Sequence, residues 1–316
     1  MARTTRRLLI GALIASLAFI APGANPGHAR AASPLVDVAW LDANGARADV
    51  VVLDVRNRIG GATARTYRAG HVPGAVYSDY LRAGWRATVD GVPGQLPAVA
   101  DLERLIGGLG IGNDSHVVIV AGGVSANDMS SATRVYWTFK VLGHDAVSIL
   151  DGGYRAYAAA RPGAVETGWN EPVAKVFKAR PRPAMVADYR DVMAARAAGT
   201  ALIDARPPGF YRGKRRSRAV ARAGTIPPAV NVPEGALTAD DGRFVGPDRV
   251  AALLRAVGLG VDDPAITFCN TGHWASLAWF AESEILGNKK VRLYDGSMAD
   301  WAHRADLPVE PGTRGQ

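Results

Sequence analysis

The sequence predicts an α/β protein made of two similar units, each a mostly parallel sheet covered by helices on both faces. Three observations predict it. First, the chain repeats itself: "VVLDVR" (51–56) returns as "ALIDAR" (201–206), "RAGHVPGAVY" (68–77) as "RAGTIPPAVN" (222–231), and "ILDGGYRAY" (149–157) as "LYDGSMADW" (293–301). Second, apolar runs of strand length alternate with helix-like stretches in both copies, the pattern of strand–helix–strand units. Third, the copies are separated by "RPGAVETGWNEPVAKVFKARPRP" (161–183), which is rich in proline, lacks either period and reads as a linker.

Taken in order, residues 1–31 read as a secretory signal peptide. Arg3, Arg6 and Arg7 precede an apolar stretch (8–21), and Ala29-Arg30-Ala31 supplies an A-x-A cleavage site. The pair Arg6-Arg7 leaves both the general secretory and the twin-arginine route open, and either leads to the periplasm. In the first unit, 32–160, strands are predicted at 50–55, 117–121 and 146–150. A helix at 131–142 carries Val135, Phe139 and Leu142 on one face and stops at Gly143. The run "GGLGIG" (107–112) departs from the dinucleotide-binding spacing and ends a helical pattern, so it reads as helix C-caps. In the second unit, 184–316, strands fall at 201–204, 265–268 and 291–294, and a helix at 275–286 carries Leu277, Ala281 and Ile285 before Gly287.

Composition excludes several classes. Residues 1–31 hold four arginines and no acids, so without them 33 basic side chains face 29 acidic ones and the formal charge falls from +8 to +4. That is too mild for a nucleic-acid binder without a basic face of interleaved aromatics. No later segment offers the roughly 20 apolar residues of a spanning helix. P-loop, H-E-x-x-H and Cys/His metal patterns are missing from the sequence, so neither cofactor nor metal is expected. The mature chain is expected to be a monomer.

Cys269 is the only cysteine. An internal disulfide is therefore closed to it, which leaves a buried small hydrophobe, an intermolecular link or a reactive group. It ends a predicted strand just before a predicted helix, where successive backbone N–H groups and a positive helix end favour a thiolate. Gly272 suits the backbone of such a curl, and Asn270 and Thr271 its local hydrogen bonds. His273 is expected either to donate to an anionic substrate or to be merely solvated; Trp274 either walls the pocket or lies in the core. A cysteine phosphatase would need arginine six positions after the cysteine, where Ala275 stands. A cysteine protease would need a histidine base such as His71 or His303, and nothing positive supports one.

The two copies differ where it matters. Residues 110–121 align on 258–269 without a gap, which sets Ala121 opposite Cys269 and leaves the first unit without a nucleophile. Ala121 stands 30 positions before Asp151, whereas Cys269 stands 26 before Asp295, so loop 121–131 is expected to differ in geometry from its partner. Either it shapes a cleft between the units or it only supports the core.

The succession D-x-R, G-H-x-P-G-A, an apolar strand ending in Cys, then D-G-S resembles the rhodanese family of sulfurtransferases in its tandem form, across nearly all of the mature chain. "CNTGHWA" (269–275) is similar to the active-site loop of exported bacterial thiosulfate sulfurtransferases. The resemblance implies two rhodanese-like domains, the first inactive and the second forming a persulfide on Cys269. The sulfur would come from a small anionic donor, thiosulfate or 3-mercaptopyruvate, and pass to cyanide or a cellular thiol. Asn270, Thr271, Gly272, His273, Trp274 and Ala275 are then the substrate-binding candidates, joined by Arg206 and Arg212. Because both copies carry D-x-R, Arg56 and Arg206 also read as structural partners of Asp54 and Asp204, and His71 and Thr225 as structural residues. Thiosulfate-using relatives carry a second arginine four positions beyond the D-x-R arginine, where this chain has Phe210. The run of Arg212, Lys214, Arg215, Arg216, Arg218 and Arg222 is either its replacement or a solvated loop. The rival reading is a non-catalytic periplasmic module that binds an anion or a partner protein between its units.

Overall fold

The computed structural model describes Met1 and residues 33–313, so the predicted signal peptide lies outside the described residues beyond Met1. The first domain opens with β1 (Leu35–Val36), α1 (Val38–Asn44), β2 (Val50–Asp54), α2 (Ala64–Ala69) and β3 (Val76–Tyr77). A hairpin of β4 (Ala87–Val89) and β5 (Val92–Gln95) follows, then α3 (Val99–Gly108), β6 (His116–Val120), α4 (Ala126–Val141), β7 (Val147–Leu150) and α5 (Gly153–Ala160). The second contains β8 (Val186–Ala187), α6 (Tyr189–Ala198), β9 (Ala201–Asp204), α7 (Pro208–Tyr211), β10 (Val230–Asn231), α8 (Pro247–Ala256), β11 (Ala265–Phe268), α9 (His273–Phe280), β12 (Val291–Tyr294) and α10 (Ser297–Trp301).

Both main sheets are parallel and five-stranded, in the orders β1-β7-β6-β2-β3 and β8-β12-β11-β9-β10, so the sequence repeat is a repeat of topology. The central strands bury both faces, which is why they read as apolar runs without alternation. On one face Leu53, Ile119, Ile203 and Leu277 join a single core that crosses from one domain to the other. The outer faces pack separately: Val52, Val118 and Val120 in the first domain, Leu202, Ile266 and Phe268 in the second. The domains thus share a core and do not hinge freely about their linker.

Residues 161–182 contain no helix or strand, yet they are pinned to the first domain. Phe177 is buried, the Lys175 amide donates to Gly107 O, and those of Arg180 and Arg182 donate to Leu142 O and Val141 O. Helix α3 ends at Gly108 and Gly110 takes φ +75, in keeping with the helix-cap reading of the glycine run.

The helix expected at 131–142 begins five residues earlier, because Ser125 caps it by accepting the Asp128 amide at 3.1 Å. The helix expected at 275–286 begins at His273 and passes into a π-turn, Ala281–Ile285. The extra length of the first copy lies mostly in its longer helix, α4, while the loop after Ala121 (121–125) is one residue longer than its partner (269–272).

Candidate active site

Cys269 follows the last residue of β11, at the carboxyl edge of the second sheet where parallel-sheet sites collect, and is 1% exposed. The loop 269–272 turns all four of its carbonyls away from its interior. Cys269 O and Asn270 O accept the amides of Met298 and Ala299 at 3.0 and 2.9 Å, from the first turn of α10. Thr271 O accepts Nη2 of Arg86 at 2.7 Å, and Gly272 O accepts Nη1 of Arg134 at 3.2 Å. Peptide groups whose oxygens face outward present their N–H groups inward, and this is how a curled loop before a helix builds an anion cradle; here the Gly272 N–H is taken by Ser297, which leaves those of Asn270, Thr271 and His273. Gly272 makes the curl possible at φ +74; a side chain there would also strike Arg134, 2.4 Å from a Cβ.

Ser297 braces the cradle from beneath. Its Oγ accepts the amides of Cys269 and Gly272, both at 3.1 Å, and donates to Tyr294 O at 2.8 Å. It is held at φ +51, a conformation that costs a non-glycine residue about 1 kcal/mol or more. At the matching place after β7 the first domain has Gly153 at φ +58. The copy that keeps the cysteine also keeps the hydroxyl.

In the first domain the corresponding loop is already filled. The Asp128 carboxylate, fully buried, sits against the amides of Gly122, Gly123 and Val124, the last at 3.2 Å. Burial raises its pKa and these three amides oppose the rise. Ala121 removes the nucleophile and Asp128 occupies the anion position.

Several sequence-derived candidates have other work. Arg206 is buried and paired with Asp204 at 2.6 Å, and also donates to Gly224 O; Arg56 does the same with Asp54 and Gly70 O. Arg206 meets the loop only through Asn270 Oδ1, at 3.4 Å, so it is a strut and not a free substrate ligand. His273 is neither solvated nor turned to a substrate. Its Nε2 lies 2.9 Å from Asn127 O, which only accepts, so Nε2 carries the proton and Nδ1 accepts from the Tyr80 hydroxyl at 2.9 Å. Burial, then the charges of Arg86 and Arg134, push its pKa down to about 3, and the ring is neutral. Trp274 is half-buried, donates from Nε1 to Asn127 Oδ1 at 2.7 Å, and lies 5.9 Å from the ring of Phe210. Ala275 is buried, its carbonyl taken by Thr267 Oγ1.

Arg212 is exposed at the end of α7; its amide donates to Pro208 O at 2.9 Å, and among the described residues its side chain has no hydrogen bond or ion pair. Within the basic run the Arg215 guanidinium lies 4.7 Å from the centroid of Phe210, the ring that stands 5.9 Å from Trp274. Arg222 is committed to the carbonyls of Ala302, Arg304 and Leu307. His71 is buried against Tyr67 O, and Thr225 donates to Asp204. Among the described residues no cluster of His, Cys, Asp and Glu could hold a metal ion.

Sequence reasoning missed Tyr80, Arg86, Asn127 and Arg134, all supplied by the first domain. Nothing in their local pattern marks them, since the second domain lies about 140 to 195 positions away; Ser297 was visible inside the D-G-S landmark, and its comparison with Gly153 was the available signal.

Two parallel sheets in the same order, with one cysteine-bearing loop at the edge of the second, define a tandem α/β protein with a single thiol-bearing half. The model for the Rhodanese-like domain matches residues 37–160 and 188–304, and the chain belongs to that family. It is 30% identical to the "Putative thiosulfate sulfurtransferase" of Saccharopolyspora erythraea over 87% of this chain and 95% of that one. It is 31% identical to the 3-mercaptopyruvate sulfurtransferase of Escherichia coli K12 over 86% of this chain and 96% of that one. The crystal structure of the 3-mercaptopyruvate sulfotransferase SseA from Escherichia coli superposes with a TM-score of 0.73 at 28% identity, covering 84% of this chain and 99% of SseA. The family is therefore one of sulfurtransferases.

Proposed function

We propose that the protein is a thiosulfate sulfurtransferase that carries sulfur on Cys269. The observation behind this reading is the outward arrangement of all four loop carbonyls around one thiol. The Cys269 thiolate attacks the outer sulfur of thiosulfate, the S–S bond of thiosulfate breaks, and sulfite departs with the bonding electron pair. The persulfide anion left behind is stabilised by the same N–H groups. Cyanide then attacks the outer persulfide sulfur to give thiocyanate and restore the thiolate; a thiol acceptor takes the sulfur in the same way, as a persulfide. The donor is an anion, and the exposed charges around Arg215 favour its approach. The signal-like residues 1–31 support action in the periplasm, and the shared core supports a monomer as the working unit.

The 31% relative named for 3-mercaptopyruvate makes that donor the second reading. Steady-state rates with both donors, across a range of ionic strength, separate the two. A higher kcat/KM with thiosulfate, falling as salt rises, is the expected result; a clear preference for 3-mercaptopyruvate overturns the donor assignment.

A further inference from the structure

We propose that Arg86, in the first domain, is a positioning residue for chemistry at Cys269, holding the Thr271 carbonyl outward and setting a positive charge beside the loop. This rests on the reading of Cys269 as the sulfur carrier. Nη2 of Arg86 donates to Thr271 O at 2.7 Å and to Thr271 Oγ1 at 2.9 Å, while Nε donates to Gly94 O at 3.1 Å. All three acceptors are neutral. Arg134, by contrast, has its charge answered by Asp295 at 2.5 Å.

The need for such a hold follows from Gly272. At φ +74 and without a Cβ, Gly272 offers little resistance to rotation of the peptide before it; Ser297 Oγ holds that peptide's N–H at 3.1 Å, and its other end, the Thr271 oxygen, would be free to turn toward the sulfur without a partner of its own. A forked, charge-assisted donor on that oxygen opposes the rotation. The β4–β5 hairpin next to Arg86 is matched in the second domain only by an isolated antiparallel bridge, Thr238 to Phe244, and a side chain at Gly94 would strike the Arg86 guanidinium. Bare backbone at that point leaves the guanidinium its path to the loop. The inactive domain is therefore a working part of the site.

The test uses the mature protein, whose only thiol is Cys269, and compares wild type with Arg86→Gln and Arg86→Lys. Alkylation rates are measured with neutral iodoacetamide and anionic iodoacetate at fixed pH, with melting temperature followed in parallel. Arg86→Gln should slow iodoacetate by about tenfold, the scale of one lost charge-assisted hydrogen bond, and iodoacetamide by less. Arg86→Lys should restore the ratio of the two rates but not the full iodoacetamide rate, because it returns the charge without the fork. Unchanged rates in Arg86→Gln overturn the proposal, as does an equal fall with both reagents accompanied by a lower melting temperature. Alkylation needs no sulfur donor, so a protein that never accepts sulfur from thiosulfate but shows these rate changes defeats the assigned function and leaves the role of Arg86 standing.

Discussion

The hydroxyl of Ser297 lies 3.1 Å from the amide of Cys269, and Ser297 holds a left-handed backbone to keep it there. Ser297→Gly reproduces the first domain's residue. It should relieve about 1 kcal/mol of backbone strain while leaving two loop amides without their acceptor, at about 1–3 kcal/mol each, so stability should fall by about 1 kcal/mol or more. Sulfur loading of Cys269 should slow at least about tenfold, the scale of one lost hydrogen bond to the loop. Stopped-flow release of sulfite measures the loading rate, and a rate equal to wild type contradicts the role given to the hydroxyl.

Filling of the first cradle by Asp128 gives a second expectation. The double variant Ala121→Cys, Cys269→Ala should not turn over thiosulfate, because a carboxylate already sits where the sulfur anion would form. Turnover by that variant in a cyanide-to-thiocyanate assay contradicts the filled-cradle argument.

Much of this was legible in the sequence. The central strands and the helices after them follow from runs that burial on both faces makes apolar, and the repeat gave the matching topology of the two domains. Edge strands such as Leu35–Val36 and Val230–Asn231 are too short to show a period. The β4–β5 hairpin was in fact signalled by Asp90-Gly91, both at positive φ (50° and 80°), a pair that favours a two-residue hairpin turn. At the site, Cys269 and its loop could be found because their chemistry is local. Arg86, Arg134 and Asn127 could not, since only tertiary packing brings them to a loop so far along the chain: α4 against α9 for Asn127 and Arg134, and the segment before β4 for Arg86. The same packing overturned His273 as a substrate donor.

Two buried carboxyls make stability depend on pH. Burial pushes Glu234 up to about 7 and Glu282 up to about 8, from an ordinary 4.5. Glu234 Oε2 has no hydrogen-bond partner among the described residues. Raised folded values mean that the contribution of each protonated carboxyl is complete below about pH 4.5 and is lost as pH rises through 7 and 8. Glu234→Gln and Glu282→Gln should each be near neutral at pH 4 and stabilising by roughly 3 to 4 kcal/mol at pH 8. Urea denaturation at the two pH values measures this; a gain of equal size at both, or a loss at pH 8, contradicts the assignment.

The central claim is that Cys269 is kept because it carries sulfur. Intact-mass measurement of the reduced mature protein, after incubation with thiosulfate and removal of the excess, tests it most directly. One added sulfur atom is expected, lost again on adding cyanide as thiocyanate appears, and Cys269→Ser should show neither step while keeping its fold by circular dichroism. A wild-type protein that never gains that atom from thiosulfate or 3-mercaptopyruvate, or a Cys269→Ser protein with full turnover, would contradict the account.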